Sequence, residues 1–114
     1  MSPPGEVSGE AADRYFLIML RMVPGRALNP EVMGRHAAHL SELDLSGRLL
    51  LAGPIPEAPG GLIALRVATL ADARAVAEED PLVRGGYQTY ELGTWLMSNR
   101  RNGFLPDLNS ERQT

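Results

Sequence analysis

The side chains best able to do chemistry in this chain are His36, His39 and Asp80. Advanced at 100° per residue, Val32, His36, His39, Leu40 and Leu43 fall within about a third of a helix circumference. His36 lies in the middle of that apolar stripe and His39 at its edge. A histidine so placed can be a core residue bonded to a backbone carbonyl. It can equally be a neutral imidazole in a semi-apolar cleft, able to move protons near neutral pH. Asp80 closes an acidic run, Glu78-Glu79-Asp80, at the end of a second helical segment. Acids are disfavoured there by the helix dipole. On the wheel, Asp80 falls with Leu70, Ala73 and Ala77, whereas Glu78 and Glu79 point to solvent. An inward carboxylate can cap the following Asp-Pro turn, orient a histidine, or do both. A His36–Asp80 pair would fix the imidazole tautomer and stabilise the imidazolium formed on proton uptake.

Other chemistries have less support. The chain has no cysteine, and all eleven basic residues are arginine. Thiol nucleophiles, zinc–thiolate sites and lysine Schiff bases are therefore excluded. No motif marks a serine nucleophile. Histidines at i and i+3 without a second acid in register make a poor metal set, and no metal or cofactor is expected. Gly85-Gly86 reads as a turn, because no lysine or helix start follows it. Tyr87 is a candidate for the edge of a substrate cleft and His39 for its wall.

These residues need elements to hold them. Residues 14–23 form a strand that is apolar on both faces: Tyr15, Leu17 and Met19 on one, Phe16, Ile18 and Leu20 on the other. Asn29-Pro30 opens a helix that runs to residue 46, with Gly47 as its stop. Residues 49–52 are a second strand, 55–60 a Pro/Gly-rich hairpin loop, and 61–68 a third strand. That strand carries Ile63, Leu65 and Val67 on one face and Leu62 and Ala64 on the other. Thr69 and Asp72 fit a capping box for a second helix, which Pro81 stops. Residues 87–96 are the fourth strand. The expected fold is α+β: a ferredoxin-like βαββαβ domain, with a four-stranded antiparallel sheet and both helices on one face. The bare face needs a cover, and a second copy of the sheet is the economical one.

The 114 residues suit a single domain. Residues 1–13, rich in Pro, Gly, Ser and Glu, are expected to be a disordered leader. The domain proper is 14–97, and 98–114 is a polar C-terminal tail that could lie on a partner. The net charge is −3 with arginines scattered along the chain, so nucleic acid is not an expected partner. No apolar run approaches the ~20 residues that cross a bilayer. The expected location is cytoplasmic.

The stretch from His36 to Pro54 resembles the YCII family. Its members carry a helix with a His eleven residues before a Gly, then a strand ending Ala-Gly-Pro. Here His36 and Gly47 have that spacing, and Ala52-Gly53-Pro54 follows. Asp80-Pro81, Gly86 and Tyr87 are similar to a second family motif. Glu91 and Trp95 stand where such proteins often have an acid and an aromatic. The resemblance spans residues 15–95. It implies a homodimeric α/β barrel with a cleft containing a His and an Asp. It is the resemblance, not the spacing, that moves His36 from core residue toward site residue. The wider dimeric-barrel group often handles small ring compounds. The expected function is a small-molecule enzyme using His36 as acid/base and Asp80 as its orienter, for isomerisation, elimination or lactone chemistry. The alternative is a non-catalytic dimeric module, small-ligand-binding or regulatory, that uses the same cleft.

Overall fold

The computed structural model describes residues 13–108. The leader expectation for residues 1–12 and the last six residues of the tail lie outside that range. The elements run β1 (Arg14–Met22), α1 (Pro30–Leu45), β2 (Leu49–Pro54), β3 (Gly60–Leu65), α2 (Leu70–Glu79), α3 (Pro81–Arg84) and β4 (Gln88–Leu96). The strands form one antiparallel sheet in the order β2-β3-β1-β4. That is the ferredoxin-like arrangement: β1 and β3, which open the two βαβ halves, are central, and β2 and β4, which close them, are the edges.

Strand alternation decides which face meets the helices. Phe16, Ile18 and Leu20 of β1 are buried with Ile63 and Leu65 of β3. Leu43 of α1 and Ala73, Val76 and Ala77 of α2 complete that core. The opposite alternate set, Tyr15, Leu17 and Met19, stays only partly covered, and Leu62 and Trp95 on the same face are 38% and 41% exposed. Ile63 thus belongs to the helix-facing side and Leu62 to the open one. β3 ends at Leu65, three residues before the expected end at 68. Beyond it Arg66 N–H still donates to Arg48 C=O at 2.7 Å, and Val67 is buried without ladder pairing.

The caps explain where the helices begin and end. Asn29 Oδ1 accepts from Val32 N–H at 2.9 Å, and Pro30 follows at the first helical position. At the far end Gly47 N–H donates to Asp44 C=O and Arg48 N–H to Leu43 C=O. This is a Schellman closure, and it requires the left-handed φ of +78° that Gly47 supplies. The Thr69 capping box forms, with Asp72 N–H donating to Thr69 Oγ1 and Thr69 N–H to Asp72 Oδ2. The tail is anchored at its start. Met97 N–H donates to Asp13 C=O, Asn99 Nδ2 donates to Asp13 Oδ1, and Arg101 ion-pairs with the same carboxylate. Residue 13, grouped with the leader on sequence, therefore holds the first turn of the tail.

Candidate active site

Asp80 sits where one helix ends and another begins. It is the C-cap of α2, its N–H donating to Ala77 C=O. It is also the N-cap of α3, its Oδ1 accepting from Leu82 N–H at 2.9 Å. Pro81 causes this double role: it cannot continue α2, yet its fixed φ suits the first position of a new helix. The carboxylate that looked misplaced at a negative helix end thus occupies a position where an anion is favoured by free N–H groups.

His36 reaches that carboxylate from α1. Its Nδ1 lies 2.9 Å from Asp80 Oδ1 and 3.0 Å from Oδ2. The Asp80 side chain is 1% exposed and that of His36 13%, so the carboxylate is sealed behind the ring while the ring keeps some access. A carboxylate accepts and cannot donate, so the neutral imidazole carries its proton on Nδ1 and its lone pair on Nε2. The two roles foreseen for Asp80, holding a turn and holding a histidine, coexist: Oδ1 serves both, and Oδ2 faces the histidine alone.

His36 lines a cleft of about 520 Å³ between α1, the start of β4 and the β2–β3 hairpin. The walls are aliphatic side chains, methionines, prolines and glycines, among them Met22, Met33, Leu40, Ile55 and Leu82. Among the described residues only two lining side chains are polar: His36 and Gln88. A volume in this range suits a small organic molecule. Gly60, at the hairpin base, has φ +135°, and a Cβ there would stand 1.9 Å from Leu20 O. Only glycine lets the hairpin close against β1 to form this wall.

The other two candidates lie elsewhere. Tyr87 is absent from the cleft lining. Its ring stacks under the Arg26 guanidinium at 4.3 Å, and its hydroxyl accepts from Asn29 Nδ2 at 3.4 Å. It braces the loop ahead of α1. His39 is also outside the lining. Three residues beyond His36, it is turned about 60° away on the helix, and its Nε2 is buried without a hydrogen-bond partner. Among the described residues no group of three or more His, Asp or Glu could hold a metal ion. Gln88 was missed on sequence. The signal was available: it shares a strand face with Tyr90 and Leu92, so a polar amide stood at an inward position.

An antiparallel βαββαβ sheet with a helix-borne His against a junction Asp, beside an apolar cleft, defines a ferredoxin-like α+β architecture. The chain belongs to the YCII-related family, whose domain matches residues 15–96. It is 30% identical over 81 residues to the uncharacterised protein YjpA of Bacillus subtilis (strain 168), covering 71% of this chain and 94% of that one. Its fold is similar to that of TftG, the 5-chloro-2-hydroxyhydroquinone dehydrochlorinase of Burkholderia phenoliruptrix AC1100, in complex with 2,5-dihydroxybenzoquinone. The TM-score is 0.52 at 21% identity, over 71% of this chain and 92% of that chain.

Proposed function

We propose that this protein is a small-molecule enzyme in which His36 Nε2 takes and returns a proton while Asp80 orients the ring and stabilises the imidazolium. The observation that carries the reading is the sealed Asp80 carboxylate behind a histidine that lines an apolar cleft. A carboxylate that only capped α3 would not need a ring nitrogen within 3.0 Å of each oxygen. A base in an apolar cleft with no serine among its described lining residues, in a chain without cysteine, suits proton abstraction from a carbon or hydroxyl of a small ring compound, leading to isomerisation, elimination or lactone opening. TftG, a dehydrochlorinase with a similar fold, agrees with the elimination branch.

The test is a panel of ring compounds in deuterated water: 5-chloro-2-hydroxyhydroquinone, hydroxylated cyclic ketones and unsaturated lactones. Chloride release, product and deuterium incorporation are read by ion chromatography and mass spectrometry. Turnover that falls about 10²–10⁴-fold in His36→Asn supports the assignment. Turnover unaffected by that substitution refutes it. The mostly apolar lining also suits a non-catalytic binding module, for which panel compounds would bind without exchange or product.

The proposed assembly is a homodimer that pairs the open sheet faces. Tyr15, Leu17, Met19, Leu62 and Trp95 form an apolar surface there that one copy leaves partly uncovered. The proposed compartment is the cytoplasm. No helix of the described residues is long and apolar enough to cross a membrane, and the chain has no cysteine that oxidising conditions would pair.

A further inference from the structure

Gln88 is the second polar side chain of the cleft, and its hydrogen bonding is incomplete. The residue is 6% exposed. Its Nε2 contacts Met22 Sδ at 3.1 Å across the β1–β4 ladder, where the two residues are register partners. Its Oε1 is buried and accepts no hydrogen bond. A buried amide oxygen without a donor is costly, and sulfur is a weak acceptor for the amide's other end. A position fixed only by packing would favour leucine or methionine, the types that make up much of the rest of this wall. The last torsion of a glutamine side chain is soft. Rotation about it would carry the amide oxygen toward the cleft.

The charge of the wall narrows the ligand. Among the described residues no arginine and no carboxylate lines the cleft. A phosphate or carboxylate entering it would lose its hydration with no arginine in the described lining to receive it. We propose that Gln88 is the specificity-determining residue of this site: its side-chain oxygen accepts a hydrogen bond from a hydroxyl or N–H of an uncharged, mostly apolar ring substrate whose reacting end lies against His36. This deepens the acid–base reading and rests on it for the reacting end alone. The substrate is held by one donor and by the apolar walls, so its hydroxyl pattern, not its charge, is selected.

The experiment compares 2-naphthol, which can donate a hydrogen bond, with 2-methoxynaphthalene, which cannot. Affinities are measured by NMR titration of the full chain. The wild-type protein should bind 2-naphthol about five-fold more tightly, the scale of one neutral hydrogen bond. Gln88→Met should bring the two probes within about two-fold and leave 2-methoxynaphthalene unchanged. It should also melt no lower than wild type, because it removes an unpaired buried oxygen. Gln88→Leu removes the acceptor in a smaller side chain if methionine crowds Met22. Equal or undetectable binding of both probes to wild type, or a preference that survives both substitutions, overturns the assignment. So does unfolding of both variants, which would make Gln88 structural. The His36 reading fails separately: a His36→Asn protein that still turns over the ring panel, with the Gln88-dependent preference intact, sinks the base and leaves the selector standing.

Discussion

Replacing Asp80 by Asn and by Ala separates the two tasks of this carboxylate. Asn caps a helix about as well as Asp. Asp80→Asn can therefore keep the 2.9 Å bond from Leu82 N–H to Oδ1. What changes is the side facing His36. An amide nitrogen there donates, so the imidazole must present a bare Nδ1 and carry its proton on Nε2. The base is then blocked, although every atom is nearly in place. In Ser-His-Asp enzymes this tautomer error costs about 10⁴ in rate; an effect of about 10²–10⁴ is expected here. Asp80→Ala differs. It removes the cap, about 0.5–2 kcal/mol, and leaves Leu82 N–H and His36 Nδ1–H unsatisfied at about 1–3 kcal/mol for a buried group. A net loss of about 2–4 kcal/mol lowers the Tm on the order of 10–20 °C for a domain of this size. Asp80→Asn should stay within several degrees of wild type. The tautomer needs no substrate to be seen. Long-range proton–nitrogen spectra at roughly pH 9, where imidazole is ordinarily neutral, should show Nε2 bare in the wild type and Nδ1 bare in Asp80→Asn. His39→Gln assigns the signals. The same bare nitrogen in both proteins, or an Asp80→Asn chain as unstable as Asp80→Ala, refutes the reasoning.

Leu17→Glu, on the open sheet face opposite Gly93, should turn a dimer into monomer or aggregate in sedimentation at micromolar concentration; a wild-type chain that sediments as a monomer sinks the paired-sheet proposal. Gly60→Ala should lower stability by more than about 1 kcal/mol, read by denaturant titration, because its Cβ would meet the Leu20 carbonyl at 1.9 Å and its φ is positive. Tyr90 donates to Glu78 Oε2 at 2.8 Å, and that hydrogen bond, with lesser help from burial, raises its hydroxyl above the usual 10.0. The fold thus favours the neutral phenol. This small stabilisation is complete below about pH 10 and fades as pH rises through the folded-state value. Glu78→Gln should move the tyrosinate titration back toward the ordinary range in ultraviolet difference spectra; an unmoved curve refutes the coupling.

The fold was legible because its signals were local and mutually consistent. Asn29-Pro30, Gly47 and the Thr69–Asp72 box each mark a boundary through a backbone group that must be satisfied, and a cap is readable from a few neighbouring residues. The period-two pattern of residues 14–23 placed Phe16 and Ile18 on one face and Leu17 and Met19 on the other. Which face met the helices depended on how β1 pairs with β3, a relation between residues about 45 apart in sequence. That left Ile63 and Leu62 unassigned between the two sides. The early end of β3 has a similar cause. Val67 continues the alternation, but Arg66 N–H turns to Arg48 C=O, and pairing with β1 stops at Phe16–Leu65 although Tyr15 and Arg14 carry β1 further.

For the site, the difference between legible and illegible residues follows from how each earns its position. His36 and Asp80 stood out because each broke a local rule: a polar ring in an apolar stripe, and an acid at the wrong helix end. The structure removes the second anomaly, since Pro81 restarts a helix and gives Asp80 a positive end to cap. That restart could have been read from Pro81 alone, because proline opens helices as readily as it stops them. Tyr87 could equally be strand packing and His39 had no support from the resemblance; the cleft is bounded in three dimensions by the hairpin that Gly60 folds back, and neither residue is in its lining. Gln88 broke a rule quietly. One position past Tyr87, it is an inward residue whose cost appears only once Met22 is seen to be its neighbour and its oxygen is seen to have no donor. A buried polar atom is visible as an anomaly only after its surroundings are known, so Gln88 is harder to find in sequence than His36 and Asp80, whose anomalies are local.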